Sequence, residues 1–123
     1  AYLAKLLLDA LSSQQPAGFD DFRPAVLAAA LLHDVGHLAP GSHTAFRTWF
    51  PDQADIHEEL SAAVIANDPE IRGILARHAS DLPDKVRAIL AESPDVPAWT
   101  WQAVSGSGWN ADRGNWCIVD SVL

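Results

Sequence analysis

Three of the five histidines fall within the run His33-Asp34-Val35-Gly36-His37-Leu38-Ala39-Pro40-Gly41-Ser42-His43. His33 and Asp34 are adjacent, and an imidazole beside a carboxylate is a donor pair suited to a hard or borderline divalent cation. Burying that aspartate uncompensated is expensive, and either a metal or a simple ion pair removes the cost. The two residues taken alone therefore fit a structural histidine or a helix-end carboxylate somewhat better than a ligand pair, because two adjacent residues specify little. His37 follows His33 by four residues and shares its face wherever a helix persists. Read in that way, the run matches the His-Glu-x-x-His arrangement of zinc peptidases. Aspartate is one methylene shorter than the required glutamate base, and Gly36 is a poor mid-helix residue. The peptidase reading is therefore rejected as the lead, and a zinc held by both His33 and His37, with Asp112 remote, would revive it.

Several helices must position these groups. Leu3, Leu7 and Ala10, joined by Leu6 and Leu11, recur at helical spacing and predict a helix over 1–11 that is already under way at the first residue. The stretch Ser12 to Gly18 stops it. A second helix is expected after a cap by Asp20 or Asp21, with Pro24 in its first turn. Its run Ala25 to Leu32 is apolar on nearly every side, as befits the centre of a bundle. Ile56, Leu60, Ala63 and Val64 predict a third helix over 55–67, closed by Asn67-Asp68-Pro69. Shorter helices are expected over 70–78 and over 83–91, the latter capped by Asp81. Asn110 or Asp112 is a candidate cap for a last helix running to the end of the chain. No period-2 stretch, repeat or low-complexity segment interrupts this pattern, and the fold class it predicts is all-α.

The 123 residues, 13.2 kDa, predict one domain, since domains are typically about 100–150 residues. A net charge of −8 without a Lys/Arg cluster argues against broad nucleic-acid or anionic-membrane binding. The longest apolar stretch, Pro24 to Leu32, is too short to span a bilayer. Cys117, the single cysteine, lies in an apolar run and is expected to be a buried thiol in a reducing, cytoplasmic compartment. The chain contains no methionine, and apolar periodic segments run to both its ends, so it is expected to be a single domain over 1–123 truncated at both ends.

Residues 30–43, Ala-Leu-Leu-His-Asp-Val-Gly-His-Leu-Ala-Pro-Gly-Ser-His, resemble the signature of HD-domain phosphohydrolases. The resemblance is to the dNTP triphosphohydrolase-like branch in particular, whose usual form is Leu-His-Asp-hydrophobic-Gly-His-x-Pro-Phe-Ser-His. Two later blocks are similar to the same family in the same order: His57-Glu58, and Asn110-Ala111-Asp112-Arg113 after Val104-Ser105. The opening Ala1-Tyr2-Leu3-Ala4 also looks like the continuation of the family's Arg-x-x-His-Ser-Leu-Gly-Val segment.

The resemblance implies an HD-domain helical bundle in which two histidines and two aspartates hold a divalent metal ion (Mn, Mg, Fe, Ni or Zn) for attack of water on a phosphate ester or anhydride. Carried over by motif, His33, Asp34 and Asp112 are metal ligands. The first histidine of the set would lie a few residues before Ala1, which predicts weak metal binding and little hydrolysis by this stretch of chain. His43 resembles the loop histidine that aids water attack, and His57 the one that protonates the leaving oxygen; a near-neutral imidazole suits either task. His37 and Arg113 are expected to contact phosphate, and Trp116, one helical turn after Asp112, stays open as a stacking platform for a nucleobase. The implied substrate is a small-molecule phosphate, in first place a nucleotide, and the implied assembly is a homo-oligomer.

The chain departs from the pattern in places. Gly41 stands where the family has Phe, and Phe46 replaces the acid that orients the loop histidine. Trp116 and Val119 replace a Tyr and an Arg of the last block. These changes favour an alternative, a non-catalytic HD-type helical module serving regulation or assembly; the joint presence of His33, Asp34, His43, His57 and Asp112 favours catalysis. Trp49, Trp99 and Trp101 are expected in the core, and His78 on the surface.

Overall fold

The computed structural model describes residues 2–37, 47–52 and 56–121, and among these every regular element is helical. Helix α1, Tyr2–Leu11, buries Ala4 and Leu8, and α2, Phe19–Leu32, buries Phe19, Ala25, Val26, Ala29 and Ala30. Further helices are α3, His57–Asn67; α4, Pro69–Ala76; α5, Leu82–Leu90; α6, Ala98–Val104; and α7, Ala111–Ser121. The small side chains of α2 let it pack against α1, α5 and α6, while α5 also meets α3 and α4. Helix α5 owes that place to its pattern. Leu82, Val86, Ile89 and Leu90 form one buried stripe, and the polar Asp84 and Lys85 lie between them.

Local chemistry sets the helix ends. Gly18 enters α2 at φ 69°, a left-handed conformation that glycine adopts freely. It occupies the cap position expected of Asp20 or Asp21, which fall instead in the first turn and act there by charge. Pro24 is the sixth helical residue, beyond the first turn, so one backbone bond is missing inside α2. The tripeptide Asn67-Asp68-Pro69 both stops α3 and starts α4: the Asp68 amide donates to the Val64 carbonyl at 2.8 Å, and its carboxylate accepts from the Glu70 and Ile71 amides, each at 2.9 Å. Asp81 sits at the start of α5 without a side-chain cap and pairs with Lys85 at 2.9 Å.

Three expectations about burial need correction. Cys117 is exposed, because the final helix turns Trp116, Cys117, Ile118 and Val119 outward. Trp49 is exposed as well, with half of its surface open. Leu31, in the helix expected to be buried all round, is 69% exposed, so α2 has one outward stripe. Trp99 and Trp101 do pack on the core. The Trp99 indole N–H donates to the Ala17 carbonyl at 3.0 Å, and its ring lies 5.7 Å from that of Phe19. His78 is exposed, as expected.

Candidate metal centre

Helix α2 ends at Leu32, and a turn carries the next residues across the end of the bundle. The Val35 amide donates to the Leu32 carbonyl and the His37 amide to the Asp34 carbonyl, both at 3.0 Å. His37 therefore does not share a helix face with His33. The turn instead places Asp34 between the two imidazoles, with Oδ2 3.2 Å from His33 Nε2 and Oδ1 3.3 Å from His37 Nε2. On the far side, the His37 ring stacks on that of His57, the first residue of α3, at 4.3 Å between centroids and 12° between planes.

Asp112 arrives from α7. Asn110, 3% exposed, caps that helix: its Oδ1 accepts from the Arg113 amide at 2.7 Å and its Nδ2 donates to the Gly106 carbonyl at 2.6 Å. Of the two caps the sequence offered, this one is realised, and it leaves the carboxylate of Asp112 unused by the helix end. Asp112 Oδ1 lies 3.2 Å from His33 Nε2. The Arg113 guanidinium donates to the Ser107 and Gly108 carbonyls at 3.0 and 3.2 Å, which ties the preceding loop to α7.

One atom in this arrangement stands out. His33 Nδ1 lies 3.2 Å from the Ala30 carbonyl, which can only accept, so Nδ1 carries the proton. In the neutral ring Nε2 is then a lone pair. It is buried, has no aligned hydrogen bond, and faces carboxylate oxygens of both Asp34 and Asp112. Lone pair against carboxylates is repulsive, and only a proton or a bound cation at Nε2 relieves it. A backbone carbonyl fixing the tautomer through the other nitrogen is also the usual support of a metal-ligating histidine. The three side chains thus fit a divalent cation by their donor chemistry, with one ligand atom from each lying within 4.8 Å of the others. Asp34, His37 and His57 form a second group that meets the same distance limit and shares Asp34.

In the metal-free protein the carboxylates shift both partners' titrations. Asp34, then Asp112, hold the His33 imidazolium and raise its pKa above the ordinary 6.5, against the opposing effect of burial. His33 in turn lowers the Asp34 carboxyl below the ordinary 3.8. The His33 contribution to stability is full below pH 6.5 and is lost as pH rises through the raised folded value. The Asp34 contribution is present above pH 3.8 and is lost as pH falls through the depressed one. With chelator present, the melting temperature is expected to gain less from this pair at about pH 8 than at about pH 6. With Mn²⁺ the gain over the chelated protein should grow with pH, because Nε2 must be unprotonated to bind. Equal Mn²⁺ gains at both pH values would contradict the assignment of Nε2 as a ligand.

The site opens into a cleft of about 270 Å³ lined by His33, Asp34, His37, His57, Asp112, Arg113 and Trp116, together with Glu58, Ser105 and Asn110. The structure brings together seven of the eight residues singled out in the sequence; His43 lies outside the described residues. The condition for the peptidase reading is not met, since Asp112 is beside His33. Sequence reasoning missed the roles of Ser61 and Gly36. Ser61 is fully buried; its hydroxyl donates to the His33 carbonyl at 2.5 Å and accepts from the Gly36 amide at 2.9 Å. At Gly36 the turn touches α3 backbone to backbone: a Cβ there would stand 2.2 Å from the Ser61 nitrogen and 2.7 Å from the His57 carbonyl oxygen.

The chain is 35% identical over 110 residues to an uncharacterized protein of Mycoplasma pneumoniae, the MG461 homolog, covering 82% of this chain and 25% of that protein. It is 30% identical over 91 residues to the uncharacterized protein YwfO of Bacillus subtilis, covering 74% of this chain and 20% of that one. The chain thus spans about a quarter or less of the length of these curated relatives. No family model matches the chain. No solved structure matches it either. Among the described residues no helix is long and apolar enough to cross a membrane.

Proposed function

We propose that this chain forms the core of a metal-dependent phosphohydrolase of the HD-domain type, acting on a nucleotide or a related phosphate ester. The observation that carries the reading is the buried Nε2 of His33, which has no aligned hydrogen bond and faces the carboxylates of Asp34 and Asp112 at 3.2 Å each. These three residues would hold the ion, which would neutralise phosphate charge and acidify water.

The chain's own groups supply the rest. Asp34, Glu58 and Asp112 make the cleft acidic, with Arg113 its guanidinium cation, so a phosphate enters only with a cation beside it. His37 and Arg113 donate to phosphate oxygens. His57 stacks on His37 and faces the same cleft, a position from which its ring can pass a proton to a leaving oxygen. Trp116, 63% exposed beside Arg113, offers a flat apolar face to a base or sugar. His43 is assigned to water positioning by the resemblance alone.

The test is hydrolysis by the full-length protein, with Mn²⁺ or with chelator, of deoxynucleoside triphosphates, cyclic nucleotides and non-nucleotide phosphate esters. Metal-dependent release of phosphate or triphosphate from at least one class is expected. No turnover of any of them by folded, metal-loaded protein would sink the enzyme reading and favour the non-catalytic helical module.

A further inference from the structure

We propose that Ser61 is a positioning residue of this site, bracing the turn 33–36 against α3 so that His33 and Asp34 on one side, and His37 over His57 on the other, keep their spacing. The role rests on the metal-site reading but has geometry of its own. A hydroxyl with no exposure in a packed helix is costly unless both its donor and its acceptor functions are used. Here both are used on the backbone of one turn, at the His33 carbonyl and the Gly36 amide.

Those two groups are the first and fourth positions of a four-residue turn, the pair that a tight turn joins directly. The Ser61 hydroxyl bridges them, donating to the one and accepting from the other. Asp34 and Val35 are the central residues of that turn, and His37 follows it. Removing the hydroxyl lets the two backbone groups pair with each other. The carbonyl of His33 and the amide before His37 then move toward one another. Asp34 would no longer face His33 with one oxygen and His37 with the other.

The test compares Ser61→Ala with Thr100→Val. Thr100 is equally buried, but its hydroxyl donates to the Pro97 carbonyl at 2.7 Å, at the start of its own helix, and not to the turn 33–36. Mn²⁺ titration of the protein should show affinity reduced about 10- to 100-fold in Ser61→Ala, the range for residues that orient ligands, and unchanged in Thr100→Val. In the metal-free protein the imidazole ¹⁵N resonances of His33 and His37 should shift in Ser61→Ala and stay in place in Thr100→Val. Wild-type affinity with unmoved resonances in Ser61→Ala would overturn the proposal, and so would an equal loss in both variants. If the wild-type protein binds no Mn²⁺, the metal reading falls and the metal-free resonances alone decide the role of Ser61. Should Ser61→Ala fail to fold, Ser61→Cys, with a weaker donor and acceptor, takes its place, and wild-type behaviour in that variant overturns the bracing role.

Discussion

Gly36→Ala is expected to lower the unfolding free energy by about 3 kcal/mol, at the upper end of what overpacking costs. The methyl group would meet the Ser61 nitrogen at 2.2 Å, the Leu60 carbonyl carbon at 2.6 Å and the His57 carbonyl oxygen at 2.7 Å. All three are backbone atoms in the first turns of α3, so no side chain can rotate away. Either α3 or the turn must retreat. Retreat of the turn breaks the bond from the Gly36 amide to Ser61; retreat of α3 carries His57 off His37. The cost therefore appears twice, as a melting temperature lower by roughly 10 °C and as weakened Mn²⁺ binding. Unfolding in urea measures the first, and a stability within about 0.5 kcal/mol of wild type would show that the close approach is not as drawn.

Asp34→Asn keeps the shape of the side chain and removes its charge, and it should weaken Mn²⁺ binding by more than about 100-fold, beyond the range for residues that only orient ligands. It has a second consequence that needs no metal. Asp34 is the main cause of the raised His33 pKa, ahead of Asp112, so in Asp34→Asn the His33 titration should fall back toward 6.5. Asp112→Asn should move it less. An NMR titration of His33 in the two metal-free variants reads this order directly. An unmoved His33 titration in Asp34→Asn, or a larger shift in Asp112→Asn, would contradict the geometry described for the site.

How much of this was legible in the sequence differs by level. The helices could be read wherever an apolar stripe and a stop signal agreed, as for α1 and for α3 up to Asn67. The cap by Asn110 was among the alternatives because capping is local chemistry. Exposure was less legible. Cys117, Ile118 and Val119 look like core residues in a string, yet α7 turns them outward. Trp49 misled in the same way. The three side chains that meet at the candidate site were legible from the His33-Asp34 pair and from the resemblance that reached Asp112. Their support was not. Ser61 is one serine in a helical stretch, and its two partners lie 25 and 28 residues away. Gly36 was readable as a poor mid-helix residue, but the contact that requires a glycine there is with a different helix.

The central claim, that His33, Asp34 and Asp112 together hold a divalent cation, is tested most directly by titrating the metal-free protein with Mn²⁺ while observing the His33 imidazole resonances. Saturable binding that broadens the His33 signals, and that is lost in both Asp34→Asn and Asp112→Asn, is the predicted result. Absence of binding at millimolar Mn²⁺, or binding that leaves His33 untouched, would contradict it.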